Sequence, residues 1–124
     1  MTPTFDRTMV YHELACLVGI DKSILLQNIS ALCELNKKSK DYKYFIDDYW
    51  WVYASYETLL NEMPFFKNTK KIMRMVKDLE KLAYLVSFTP KGIDKTKWYR
   101  VDSDLIFRKL HTKSYAQAPK YIDF

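Results

Sequence analysis

Residues 69–82 carry two stripes of opposite character, and a chain holding such a segment must lay one face on an apolar core and leave the other to solvent. At about 100° per residue, Ile72, Met75, Val76, Leu79 and Leu82 fall within an arc of roughly 120°. Their burial is expected beneath the first two helices of the chain. On the opposite side Lys70, Arg74, Lys77 and Lys81 converge within roughly 60° of one another, with Asp78 and Glu80 displaced from them. Helix faces that serve only solubility usually mix both signs. Four cations on one line instead match phosphates and base edges. Lys67, Asn68 and Lys71, at the start of the same helix, join the stripe as candidate contact residues.

The neighbouring segments give this helix a setting. Ser55 with Thr58 opens a short helix that ends before Pro64, because the residue preceding a proline disfavours helical geometry. Downstream, strands Leu85–Phe88 and Lys97–Val101 flank a turn at Pro90, Lys91 and Gly92. Helix, short turn, basic helix and a hairpin with a basic tip is the order of a winged helix-turn-helix. In that arrangement a recognition helix over 69–82 enters the major groove, and a wing over 86–100 lies on the backbone. Lys91, Lys95 and Lys97 would position the wing on phosphates, which carry no sequence information. Arg74 is the only arginine on the stripe, and its planar fork can bond a guanine edge twice. Trp98 and Tyr99 face opposite sides of the last strand, so one of them should enter the core.

The first half of the chain reads as helix, helix, hairpin. Met9 to Val18 has helical apolar spacing and stops at Gly19. Asp21 is placed to cap a second helix, from Lys22 to about Leu35, whose wide apolar face holds Ile24, Leu25, Ile29, Leu32 and Leu35. A polar loop, 36–40, ends it. Tyr44–Ile46 and Tyr49–Val52 flank Asp47-Asp48 as a short aromatic hairpin, whose expected role is to cover the core. Asp102 and Asp104 open a last helix over Ser103–Leu110. The expected fold class is α+β: a winged helix-turn-helix, mostly helical with small β-hairpins. One domain over 1–112 is followed by a tail over 113–124.

Charge and composition narrow the function. The 124 residues carry a net charge of +5, but residues 67–100 hold ten basic and three acidic side chains, a net of +7. Such asymmetry points to a polyanion or an acidic partner for one region. With only two glycines, at 19 and 92, no Gly-rich phosphate loop is present. Cys16 and Cys33 sit among apolar residues without metal-ligand spacing and are expected to pack in the core. The two aspartate pairs are better explained by a turn and a helix start than by catalysis. The chain does not read as an enzyme, and no catalytic residue, metal ligand or cofactor is assigned. The longest apolar stretches are too short to span a bilayer and no export signal is visible, so a cytoplasmic location is expected.

Several segments then resemble one family. Asp94-Lys-Thr-Lys-Trp-Tyr-Arg-Val101 is similar to the end of the winged-helix domain in phage and plasmid replication proteins, a group that includes replisome organisers, replication initiators and DnaD-like N-terminal domains. Trp51–Glu57, Asn61–Phe66, Ile72–Glu80 and Asp21–Gln27 resemble further segments of that domain in the same order, and the similarity spans about residues 5–110. It implies double-stranded DNA binding at a phage or plasmid origin in a bacterial host, and a role in loading replication machinery. The sequence departs from the family at three places. Ala83 stands where a glycine is frequent, and Phe66–Ile72 is one residue longer. Related proteins usually continue into a second, partner-recruiting domain, whereas this sequence stops at Phe124, through truncation or because the protein acts alone.

The expected partners are therefore duplex DNA together with replication proteins, and a homodimer is left open. Two alternatives use the same scaffold, which does not by itself fix function. One is a small transcriptional regulator. The other is a stand-alone phage protein that binds a host protein, for example an anti-CRISPR-like inhibitor of a nucleic-acid-guided nuclease; its support is the aromatic hairpin, since Tyr and Trp are enriched at protein interfaces.

Overall fold

A computed structural model gives the structure of the chain, described for residues 9–89 and 96–111. The fold is α+β and mostly helical, with two small antiparallel sheets. Helix α1 (Met9–Val18) and helix α2 (Ile20–Lys38) meet at Gly19, where the chain turns by 120°. A 3-10 turn (Tyr42–Tyr44) leads into strands β1 (Phe45–Ile46) and β2 (Tyr49–Trp50), and then into β3 (Val52–Ala54). Helix α3 (Tyr56–Glu62), a second 3-10 turn (Pro64–Phe66) and helix α4 (Thr69–Lys81) follow. Strands β4 (Leu85–Phe88) and β5 (Lys97–Val101) precede a last helix, α5, over residues 103–111. The expected tail over 113–124 and the turn with Lys91 and Lys95 lie outside the described residues. No single helix among the described residues is long and apolar enough to cross a membrane.

Helix ends follow local chemistry, with one correction. Ser55 Oγ accepts from the Thr58 N–H at 3.1 Å and Asn68 Oδ1 from the Lys71 N–H at 2.9 Å, so both residues are N-caps. Asp102 Oδ1 likewise accepts from the Leu105 N–H at the start of α5. Asp21, by contrast, is no cap. Gly19, at φ 93°, takes that position and starts α2 two residues early, leaving Asp21 in the first turn. At its other end α2 runs three residues past Leu35, which is 57% exposed instead of buried.

With so few glycines, left-handed backbone positions fall to other residues. Asp47 (φ 54°) and Asp48 (φ 67°) form the tight turn between β1 and β2. Ala83 (φ 64°) ends α4 in a doubly bonded cap, its N–H bonding Glu80 O while the Tyr84 N–H bonds Leu79 O. A Cβ in this region costs energy that glycine avoids, though glycine loses more entropy on folding. Ala83→Gly should therefore raise stability by about 0.5–1 kcal/mol. A urea midpoint that falls in this variant would contradict the left-handed cap.

The three-stranded sheet has the order β3-β5-β4, with Val52 opposite Tyr99 and Phe88 opposite Trp98. Its inner face presents Val52, Ala54, Leu85 and Tyr99 to Leu25, Leu26, Ile29 and Cys33 of α2 and to the buried side of α4. Tyr99 enters the core and Trp98 does not, because successive strand residues point to opposite faces. The first hairpin does not cover this core. Trp51 separates β2 from β3, donating its ring N–H to Ile46 O, and packs edge-on against Phe88 at 4.8 Å. Tyr44 and Tyr53 contact Trp98 at 5.6 and 5.1 Å. The aromatic hairpin thus covers the outer face of the sheet, and Tyr42, Phe45 and Tyr49 remain exposed.

The two cysteines have different fates. Cys16 is exposed on α1, against the expectation of core packing, while Cys33 is buried and donates weakly to Tyr99 O at 3.5 Å. Burial, with a further contribution from Glu34 and against the pull of Arg100, pushes the Cys33 thiol up to about 12. Burial also holds the Tyr99 phenol above its usual range, with the neighbouring Tyr56 and Glu80 adding to it. Both groups keep their protons better folded than unfolded. Their contribution is thus complete below the unfolded thiol value of about 8.5 and lost as pH rises through the folded values. Stability in urea should fall from about pH 8.5 towards pH 12, and Cys33→Val should remove part of the fall. An equally steep decline in Cys33→Val would deny the thiol this role.

Candidate nucleic-acid interface

Helix α4 presents its two faces as the periodicity requires. Ile72, Met75, Val76 and Leu79 are buried. Leu82, the C-cap, keeps helical backbone but lies at the outer edge of the apolar arc, beyond Met75, and is 50% exposed. The nearest backbone neighbours of α4 are α3, the 3-10 turn and β4, and its buried side chains share one core with Leu14 of α1 and Leu25, Leu26 and Ile29 of α2. The short α3 and the turn at Pro64 fold it back there.

On the outer face Lys70, Arg74, Lys77 and Lys81 are all exposed, and none forms an ion pair among the described residues. Like charges three and four residues apart each cost a helix about 0.2–0.5 kcal/mol. Nearby acids could have relieved that repulsion but are engaged elsewhere. Asp78 pairs with Lys22 of α2 at 3.1 Å. Glu80 pairs with Lys97 at 3.6 Å and accepts a hydrogen bond from the Ser87 hydroxyl. The four cations are left free to meet an anion.

The other candidates divide. Lys67 is exposed in the turn before α4, with φ 74°. Asn68 is also exposed, but its side-chain oxygen is already used as the helix cap. Lys71 leaves the stripe altogether: it pairs with Asp21 at 2.8 Å and lies 5.5 Å from the centre of the Phe66 ring. Lys97 is no tip residue. It sits in β5 opposite Ala54, three-quarters covered, its ammonium shared between Glu80 and the Tyr56 ring. The structure therefore leaves Lys70, Arg74, Lys77 and Lys81 on one exposed face of α4 and withdraws Lys71 and Lys97.

Sequence reasoning missed the anchoring of α4. Asp21 and Lys22, adjacent in α2, hold Lys71 and Asp78 respectively, two positions about two turns apart on α4. These half-exposed pairs contribute little stability each. Their effect is to set which α4 charges stay unpaired. The alternating signs at 21 and 22 were the only signal, and nothing local connects them to partners 50 and 56 positions away.

Among the described residues, no group of three or more His, Cys, Asp or Glu is arranged to hold a metal ion. No protein-family model, no curated protein and no solved structure matches the chain.

Proposed function

We propose that the chain is a winged helix-turn-helix that binds double-stranded DNA, serving as the DNA-binding domain of a phage- or plasmid-type replication protein. The observation that carries this reading is the exposed stripe of Lys70, Arg74, Lys77 and Lys81, unpaired among the described residues, on a helix whose opposite face is core. The setting supports it. Helix α3 and a tight turn precede α4, and the antiparallel β4 and β5 follow with β3 alongside, which is the order of a helix-turn-helix with one wing. In this reading α4 enters the major groove with Arg74 towards base edges, while the lysines hold phosphates. Placement at a phage or plasmid origin comes from the sequence resemblance alone.

The test is a titration of duplex DNA across a range of salt. Each phosphate contact releases counterions, so log affinity should fall with log salt by about 0.9 per contact. Absence of duplex binding even at low salt would overturn the proposal. It would favour the host-protein alternative, for which the exposed Tyr42 of the 3-10 turn and Phe45 of the hairpin offer a contact surface.

A further inference from the structure

A second polar site lies away from α4, between α2, the first hairpin and β5. Arg100 stacks there on Tyr49, its guanidinium carbon 3.7 Å from the ring centre, with Trp51 at 5.4 Å. Its Nε–H is buried and has no hydrogen-bond partner among the described residues. A buried donor left in that state costs the fold free energy. Beside it is a cavity of about 140 Å³, lined also by Lys37, Glu34, Asp48 and Trp50. Two cations and two carboxylates thus face one hollow, yet none of the four forms an ion pair among the described residues.

That combination excludes simple ligands. Glu34 and Asp48 would repel a bare phosphate, and Arg100 and Lys37 would repel a metal ion. A ligand must bring acceptors for the guanidinium and donors for the carboxylates, on a flat body that Trp50 can cover. Among the bases, guanine offers O6 and N7 as adjacent acceptors and N1–H with the N2 amino group as adjacent donors. In a duplex the N1 and N2 donors are committed to cytosine, so only an unpaired guanine can serve both sides of the cavity. Next to the hollow, Trp50 continues into Tyr42 at 5.6 Å and Phe45 at 5.1 Å, a tilted run of rings with Tyr42 and Phe45 exposed. Lys38 and Lys40 stand exposed at the end of α2. Aromatic platforms flanked by cations suit unpaired strands, because every base has a face to stack.

We infer that the cavity between α2 and the first hairpin binds one unpaired guanine of single-stranded DNA, read by Arg100 and Lys37 on its acceptor edge and by Glu34 and Asp48 on its donor edge. The choice of DNA as the carrier rests on the proposed DNA-binding function; the cavity itself uses no residue of α4.

Fluorescence anisotropy with two short labelled strands tests it, an oligothymidine and the same strand with one central dG. The dG strand should bind about tenfold more tightly. Asp48→Asn should abolish the difference while keeping the hairpin turn, since asparagine accepts the left-handed backbone of that position. Arg100→Gln should do the same, with circular dichroism checking that each variant is folded. Joint replacement of Lys70, Arg74 and Lys77 should leave the guanine preference intact. Equal affinity of the parent for both strands would overturn the guanine site, whatever happens with duplex DNA. A preference that survives in folded Asp48→Asn and Arg100→Gln would overturn it too. If the parent keeps the guanine preference but binds no duplex, the α4 proposal fails and the cavity stands.

Discussion

Replacing Lys70, Arg74 and Lys77 together by alanine is expected to lower duplex-DNA affinity by roughly a hundredfold or more, with no loss of melting temperature. All three side chains are exposed and make no ion pair among the described residues, so their removal breaks no contact that holds the fold. It also relieves like-charge repulsion along α4 and introduces a strong helix former at each position. Binding should lose both strength and salt dependence, the slope shrinking by about 0.9 for each phosphate contact removed. Lys71→Ala and Lys97→Ala provide the contrast. Their ammonium groups are held by Asp21 and Glu80, so each should cost much less affinity than one stripe residue. Unchanged duplex binding by the triple variant would remove α4 from the interface. A loss as large from Lys71→Ala as from Arg74→Ala would mean that the ion pairs open on binding.

Leu79→Ala should destabilise the protein by about 2–5 kcal/mol, the range for truncating a buried leucine whose surroundings cannot collapse fully. Leu79 is completely buried, on the face of α4 that meets α3 and β4. Its carbonyl also accepts the Tyr84 N–H that closes the helix. Little relaxation is open to the site, because the helix is fixed at one end by the Asn68 cap and at the other by the left-handed Ala83. Chemical denaturation of parent and variant gives the number directly. Leu82→Ala serves as the control: that side chain is half exposed, so its truncation should cost far less. Equal losses at 79 and 82 would mean that the helix is rotated from the orientation described.

The comparison of Leu79 with Leu82 shows what periodicity conveys. Helical spacing placed both on one arc, and the burial of Ile72, Met75, Val76 and Leu79 follows from it. Spacing cannot say how far along the arc the core extends: Leu82 keeps helical backbone at the arc's edge and is still half exposed. The same division runs through the N-caps. Ser55, Asn68 and Asp102 were legible because the oxygen and the N–H it satisfies lie three residues apart. Asp21 failed because a glycine just upstream could adopt φ 93° and start the helix earlier.

The aromatic residues were visible in number but not in placement. Alternation told that Trp98 and Tyr99 point to opposite faces, yet it could not tell that Tyr44 and Tyr53, far earlier in the chain, would cover the Trp98 side. In the sequence Arg100 is only one more positive charge of the basic region. Its contact with Tyr49 and its place in the cavity arise from strand pairing and the packing of the hairpin.

By itself, then, the sequence determined the features set within a few residues: helix faces, caps, the Asp47-Asp48 turn and the position of the cationic stripe. Each depends on backbone hydrogen bonds and side-chain spacing that are the same in any surroundings. Only the tertiary structure decided which charges are neutralised. Asp21 meets Lys71, Lys22 meets Asp78 and Glu80 meets Lys97 because packing brings α2, α4 and β5 together. An ion pair needs its partners within a few ångströms, and chain separation places no limit on which residues those are.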